Sequence, residues 1–577
     1  MIKRKKGFVL VLLISLGIFW LPGSPVLAGN DEPQPVSFFV DSVMDSNRKG
    51  NIPAVLINTS QHAYFYVDQE WWTQLSPEDQ DKDNQFLQSL GAEFDDKIYP
   101  GLTSVYGTEW KPGIDNDLHA TILFHPLQNG AAGYFRPVDE HELLQSPNSN
   151  EREMVYLNAD YIPSNYVKSL LAHEFTHLIT YNQKDRRAGV TEETWLNEAR
   201  AEYSPTLLGY DQIYQGSNLQ RRARIFLEHP ADSLVEWGEK SADYGALNLF
   251  TQYLVEHYGI SVLVDSLHSS KTGIASLNEA LENNKFQEKF SDVFTNWTIA
   301  SYVNDCSVGS QYCYLDLALE DLQVTPKTYF LPLSGDSSLS STDQTQNWAG
   351  KWIRFIGGDG DLIFRFIGNS ENLFRVPYIL KSADGQLQIG FLALDAYQHG
   401  ELKIPNFSSE ELSLTIVPSI QSKISGFDGL EESYPFFWEI KADPSLAHER
   451  KIQALQKTIE ALQNQIVSLR SQLTCLVIQK SGLTWYPLKQ DLLFGLRDND
   501  EVRSLQIFLK AQGDNIYPEG LVTGNFLSLT KQAVIRFQEK YKEDILQPLG
   551  LTQGTGFFGG RTRNKVNQLL NVCSNHD

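Results

Sequence analysis

The chain has 577 residues, 41% of them hydrophobic and 21% charged, and a formal net charge of −23 at pH 7. That length exceeds what one core organises, so several domains are expected, most of them large enough to bury their own apolar surface. An acidic chain with no visible basic face excludes nucleic acid as an expected partner, and the acidity itself points to solubility and to no particular ligand.

The N-terminus, MIKRKKGFVLVLLISLGIFWLPGSPVLAGN, passes from Lys3, Arg4, Lys5 and Lys6 through a mostly apolar run, Gly7 to Leu21, to small residues ending at Ala28. This predicts an export signal over residues 1–28, cut after Ala28, with an uncleaved anchor as the other reading. The run is shorter than the ~20 residues of a membrane-spanning helix, and no later segment is apolar and long enough to span. The cysteines are Cys306, Cys313, Cys475 and Cys573, with no C-x-x-C pair, so zinc-ribbon and thioredoxin-like arrangements are excluded. In an oxidising compartment disulfides are expected, with Cys306–Cys313 closing a short loop and Cys475–Cys573 bracketing the C-terminal segment.

From about residue 36 to 160, strand-like runs (AVLIN, AYFYV, HATILFHP, MVYLNADYI) alternate with a helical stretch near 78–98, the sheet half of an α+β domain expected to reach residue 320. Residues 164–300 follow helical periodicity, as in ALNLFTQYLVEHYG and EKFSDVFTNWTIASYV. Over 325–445 the pattern becomes short strands between Gly, Asp, Asn and Ser, which predicts an antiparallel β-sandwich.

Residues 448–474 place Ile452, Leu455, Ile459, Leu462, Ile466, Leu469 and Leu473 at alternating spacings of three and four. A seam of that period predicts a coiled coil. Ile on one seam position and Leu on the other favours two parallel strands, hence a parallel homodimer. A single amphipathic helix packed on its own protein is the other reading of so short a repeat. The final segment, 480–573, holds three short helical patterns, with Val502, Leu505 and Leu509, then Leu529, Ala533 and Phe537, then Val566, Leu569 and Leu570 on their apolar faces. Joined by Gly-rich connections, they predict a small α-helical bundle.

The stretch AHEFTHLITYN, residues 172–182, carries the chemistry. On an α-helix His173 and His177 stand one above the other and can reach a single ion, while Glu174 sits ~100° round, near enough to address a water without being a ligand. Leu170, Leu171, Phe175, Leu178 and Ile179 cover most of the remaining circumference, so the helix should be buried. A buried Glu beside two His needs partners, and a divalent cation would supply them. Downstream, EETWLNEARAEY opens a second helical segment, with Glu198 lying 21 residues after His177.

In these motifs the chain resembles the thermolysin-like, glutamate-ligated zinc peptidases (gluzincins), and among them the secreted hyicolysin-type family. There H-E-x-x-H is followed about 20 residues later by N-E-x-x-x-[DE], and Asn197-Glu198-Ala199 matches the family's Asn-Glu-Ala. The resemblance implies a zincin-like metallopeptidase domain with Zn2+ on His173, His177 and Glu198, Glu174 as general base, and Glu202 orienting a ligand histidine. Thr180 and Gln183 stand where the longer metzincin pattern needs glycine and a third histidine, so that reading fails. Related aminopeptidase-like gluzincins use a downstream tyrosine on the developing oxyanion, which implies Tyr244, a residue that could equally be a core aromatic at the start of a packed helix. The segment NGAAGYFRP resembles the edge strand that aligns substrate in these peptidases, so Gly130 to Phe135 are expected to pair with substrate backbone, though small residues there can also mark close packing. The C-terminal motifs VRSLQIFL, GNFLSLTKQAVIRFQ and GFFGGRTRNKV resemble peptidoglycan-binding domain 1 modules, with a longer insertion, EKYKEDILQPLGLTQGTG, than is usual.

The expectation is therefore a multidomain secreted zinc endopeptidase acting on protein or peptide and held at the cell wall through peptidoglycan. Two other functions fit the same parts. One is a wall-binding adhesin or scaffold without activity, and the other a zinc hydrolase acting on the peptides of peptidoglycan.

Overall fold

The computed structural model describes residues 34–571 apart from 129, 408–410, 428 and 481–486. The expected signal at 1–28 and Cys573 lie outside the described residues. The chain divides into two compact units, residues 1–443 and 444–577.

The first unit begins with a six-stranded sheet made of β1 (Val36–Phe39), β2 (Asn51–Thr59), β3 (Ala63–Asp68), β4 (Ala120–His125), β5 (Gly133–Phe135) and β6 (Met154–Asn158), in the order β1-β2-β3-β4-β6-β5. Strands β3, β4 and β6 run parallel, and β5 lies antiparallel on the outer side of β6. β4 is buried along its whole length, as a strand covered on both faces must be. Residues Phe65, Val67, Ile122, Phe124, Val155 and Leu157 point to one face, and the alternate Tyr66, Leu123 and Tyr156 to the other, against Phe38 and Ile52.

Helices α1 (Gln69–Gln74), α2 (Pro77–Glu93) and α3 (Tyr99–Tyr106) make the crossover from β3 to β4. Ser76 caps α2 by accepting from Asp79 N, with Pro77 at its first position, a start that satisfies one orphan donor and presets φ. After β6 come α4 (Tyr166–Thr180), α5 (Thr194–Leu207), α6 (Asn218–Glu228), α7 (Ser241–Tyr258), α8 (Ile260–His268), α9 (Gly273–Asn283) and α10 (Phe290–Val303). Val167, Leu171, Phe175, Leu178 and Ile179 of α4 complete the core on the helical face of the sheet. A second core, with Trp195, Phe250, Phe290 and Trp297, gathers the later helices. Cys306 and Cys313 are joined by a disulfide just past α10.

Residues 327–443 form a four-stranded and a five-stranded sheet. Phe355 and Leu414 of one meet Phe364, Trp438 and Ile440 of the other in a shared core. The five-stranded sheet also leans on the helices. Trp352 donates its indole N–H to Thr298 O at 3.0 Å, and Trp348 packs between Phe290 and Phe294.

The second unit opens with one helix, Pro444–Lys480, longer at both ends than the heptad pattern alone. Its seam residues stand exposed, from 49% at Ile466 to 61% at Leu469. Cys475 is disulfide-bonded, and its expected partner is the undescribed Cys573. Helices Asp500–Ala511, Ser528–Lys540 and Gly560–Asn571 surround a separate core that includes Leu505, Phe526, Phe537 and Val566. Gln506 accepts from Thr523 N and Gly524 N and donates to Thr530 Oγ1. Gln538, 32 residues on, repeats this with Thr555 N, Gly556 N and Thr562 Oγ1. The bundle is thus two copies of one helix-and-turn unit, each clamped by a buried glutamine. Among the described residues no helix is long and apolar enough to cross a membrane.

Candidate metal centre

Helix α4 is held from both sides. Its apolar residues face the sheet core, while Thr176 Oγ1 meets Ser204 Oγ of α5 at 2.6 Å. That contact fixes α5 beside α4 and brings Glu198 opposite the two histidines. His173 Nε2 and His177 Nε2 are 3.2 Å apart, His173 Nε2 lies 3.3 Å from Glu198 Oε2, and His177 Nε2 lies 3.5 Å from Glu198 Oε1.

Four-coordinate zinc with bonds of ~2.0–2.1 Å sets neighbouring ligand atoms about 3.3 Å apart. The three separations fall close to that edge, and Glu198 Oε2 is buried with no hydrogen-bond partner. Two nitrogen donors converging with a carboxylate that has a buried oxygen without a hydrogen-bond partner fit zinc, with one coordination position left to water or substrate.

The surrounding residues set the donor atoms. His173 Nδ1 lies 3.4 Å from Glu202 Oε1, which favours the proton on Nδ1 and leaves Nε2 free to bind. Asn197 hydrogen-bonds the His177 side chain and accepts from Thr180 Oγ1 at 2.7 Å. Glu202 is held by Arg222, whose Nε donates at 2.8 Å, and by Asn218 and Asn248, each at 3.3 Å. Burial works against the charged Glu202, but Arg222 and His173 outweigh it and keep its carboxyl below the usual range. Burial also opposes charge on His177, yet Glu198 and Glu174 carry that ring up to about 9.

Glu174 stands outside the donor set. It is 5% exposed and lies against β5, and burial raises its carboxyl above the usual range even though His173 and His177 pull the other way. A carboxyl raised by burial is suited to taking and returning a proton near neutral pH. β5 is an edge strand, bonded to β6 on one side only among the described residues. Tyr134 fixes it, stacking on Tyr156 at 4.3 Å and meeting His125 Nε2 at 3.0 Å through its hydroxyl.

Tyr244, near the start of α7, stands with its ring centre 6.5 Å from that of His173. Trp237 packs on it edge-on at 5.0 Å, and the Arg222 guanidinium lies 4.4 Å over its ring. Burial, then Glu198 and Glu202, push its hydroxyl well above the usual phenol range, so it stays protonated and able to donate. All six residues expected from the sequence thus gather in one place, together with the 133–135 end of the expected substrate strand. Asn197 was visible in the N-E motif without its role, and Arg222, on another helix, carried no signal. A separate cavity of about 1160 Å³, lined by Tyr161, Tyr166, Tyr214 and Arg221 among others, contains none of the three donors.

Parts of the chain are similar to known proteins. Over 223 residues the chain is 27% identical to the neutral metalloprotease ShpI of Staphylococcus hyicus, a match that takes in 34% of this chain and 47% of that protein. The chain therefore spans about half the length of this curated relative. Residues 498–542 match the family described as "Putative peptidoglycan binding domain". The chain is homologous in part to a metallopeptidase and carries a peptidoglycan-binding module. Among solved structures, Aeromonas hydrophila PliG, a periplasmic lysozyme inhibitor of g-type lysozyme, aligns with 20% of this chain and 97% of its own at 14% identity, with a TM-score of 0.14. Infectious bursal disease virus, Gx strain, aligns with 19% of this chain and 32% of its own at 13% identity and the same TM-score of 0.14. Neither likeness bears on the fold.

Proposed function

We propose that the chain is a secreted zinc endopeptidase held at the cell wall by its C-terminal module. The observation that carries this reading is the triangle of His173 Nε2, His177 Nε2 and the Glu198 carboxylate, with Glu174 beside it and outside the donor set. Zinc bound there would supply a Lewis acid that activates water for attack on a peptide carbonyl.

Glu174 takes the proton from the attacking water and delivers it to the leaving amine. Tyr244 donates its hydroxyl proton as a hydrogen bond to the carbonyl oxygen while charge develops there. Glu202 and Asn197 hold the two imidazoles in the tautomer that presents Nε2. The free edge of β5 offers backbone donors and acceptors to an extended substrate. The relative's description as a neutral metalloprotease supports the reaction class, the family match supports wall attachment, and the leader-like N-terminus supports export.

The test is to digest a soluble protein and a purified peptidoglycan preparation side by side. The expected result is protein cleavage, lost on chelation and restored by added zinc. Release of peptides from peptidoglycan with the protein left intact would transfer the activity to the wall. No turnover of either by the zinc-loaded chain would make it a binding protein.

A further inference from the structure

Ahead of α7, in the turn from α6, lies a cluster that the peptidase chemistry does not use. Asp232, Glu236 and Asp243 each bring one carboxylate oxygen within 4.8 Å of the others. We propose that these three residues form a second metal site, built for a hard divalent cation of the calcium class. The site is independent of the zinc reading, since it shares no residue with it.

The second observation is the state of Asp243. It is 1% exposed, and its Oδ2 accepts from Gly238 N at 2.8 Å and Lys240 N at 3.0 Å, while its Oδ1 is buried with no partner. Asp232 Oδ2 is likewise buried with no donor from the rest of the protein, and burial, with Asp243 beside it, pushes the Asp232 carboxyl up to about 7, so a cation competes with one proton for the pair. Unpaired carboxylate oxygens out of water are costly, more so when they face one another. Lys240 Nζ reaches Glu236 Oε1 at 3.0 Å, but its side chain is about half exposed and brings one charge to three carboxylates.

Oxygen donors without His or Cys select calcium or magnesium over zinc. Calcium binds oxygen at ~2.3–2.6 Å in loose geometries, so an ion at the centre reaches donors up to about 5 Å apart. Magnesium demands shorter bonds and a stricter octahedron, which this turn is not seen to offer.

The position gives the ion a task. Glu236 is set from outside, its Oε2 accepting from Gln346 Nε2 at 2.6 Å and from Glu431 N at 3.0 Å. A cation would therefore clasp the α6–α7 turn to the start of α7 and, through Glu236, to the strand-rich part of the unit. Trp237, inside the clasp, packs on Tyr244, which follows Asp243 directly. Calcium would brace the turn that holds Tyr244 in place.

The experiment uses the full zinc-loaded chain, with calcium as the probe in calorimetric titration and thermal melting. The expected result is saturable binding of one calcium and, at about a hundredfold excess over its Kd, a rise in Tm of roughly 3 °C. Asp243→Asn and Asp232→Asn should each weaken calcium binding at least about tenfold and leave zinc content unchanged. Asp243 also caps α7, so should its variant fail to fold, Asp232→Asn decides. A parent chain whose melting ignores calcium, or an Asp232→Asn chain that keeps the whole response, overturns the proposal.

Discussion

Gly133 of β5 lies so close to Glu174 that a β-carbon there would stand 2.7 Å from Oε1 and 2.9 Å from Cγ of the glutamate, with Tyr156 O also at 2.9 Å. The strand proposed to align substrate and the residue proposed to move protons therefore share one narrow contact. A methyl group at 133 cannot be accommodated on the backbone side, so Glu174 must yield. Gly133→Ala should lower kcat by about tenfold or more, since displacing a reacting group by an ångström costs up to ~10²-fold. Zinc content, measured by atomic absorption, should stay at the parent's value. Full activity in this variant would separate β5 from the reaction.

Removing the base itself is a cleaner cut. Glu174 belongs to none of the donor pairs that converge on Glu198, so Glu174→Ala should retain zinc and lose about 10²–10⁴-fold in kcat, the usual worth of a positioned acid–base group. A zinc-loaded variant that still turns over would sink the mechanism.

The two downstream glutamates should behave differently. Glu198→Ala deletes a donor and should lose most bound metal. Glu202→Gln keeps the donors but loosens His173 and leaves Arg222 buried without its partner charge. A zinc affinity weakened about 10–100-fold is the expected size for an outer residue of this kind. Competition with a chromogenic chelator measures both. If Glu198→Ala holds metal as well as the parent, the ligand assignment is wrong.

The parts legible in the sequence are those set by short-range geometry. His173 and His177 share a face because a helix repeats every 3.6 residues, and the same rule predicted the burial of Leu171 and Phe175. Glu198 was reached through a family spacing. What actually delivers it is the packing of α4 on α5, with Thr176 against Ser204, which no local pattern records. The approach of Gly133 to Glu174 crosses the sheet–helix interface and is equally silent in sequence. Asp232, Glu236 and Asp243 sit at irregular spacing in a turn, so nothing marks them as neighbours until the chain folds. The repeat linking Gln506 to Gln538 was readable in principle. Its two halves share Gln, Thr-Gly and Thr at the same offsets, but the helical pattern drew attention to the apolar positions instead.

A buried acid should make stability fall as pH rises. Glu140 is 2% exposed, and neither of its carboxylate oxygens has a hydrogen-bond partner. Burial first, then Glu153, push it from 4.5 up to about 8, with Arg186 pulling the other way. The folded state thus holds this proton more tightly than the unfolded one. The stability it contributes is complete below about 4.5 and is lost as pH rises toward 8. Glu140→Gln removes the titration, so it should raise Tm relative to the parent at about pH 8 and by much less at about pH 5. Equal shifts at both would mean the residue does not titrate as its burial implies.

The proposed attachment would be strengthened by pairing through the exposed seam of the Pro444–Lys480 helix. Ile452, Leu455, Ile459 and Leu462 are each more than half exposed, and a row of such residues at a period of 3.5 is stable in water when a second helix covers it. At ~1.5 Å per residue the helix spans about 55 Å. Pairing it in parallel would give each dimer two wall modules. Two weak sites joined in this way hold far longer than one, by as much as ~10²–10⁴ in avidity. Leu462→Lys puts a charge into the seam and should convert a dimer to monomers by light scattering, with weaker sedimentation on purified peptidoglycan. A chain ending at Asp443, the boundary between the two compact units, should remain an active peptidase and fail to sediment at all. If the shortened and full chains sediment alike, the C-terminal unit is not the anchor. If Leu462→Lys leaves both mass and retention unchanged, the seam is covered by something other than a second copy, and each chain meets the wall through a single module.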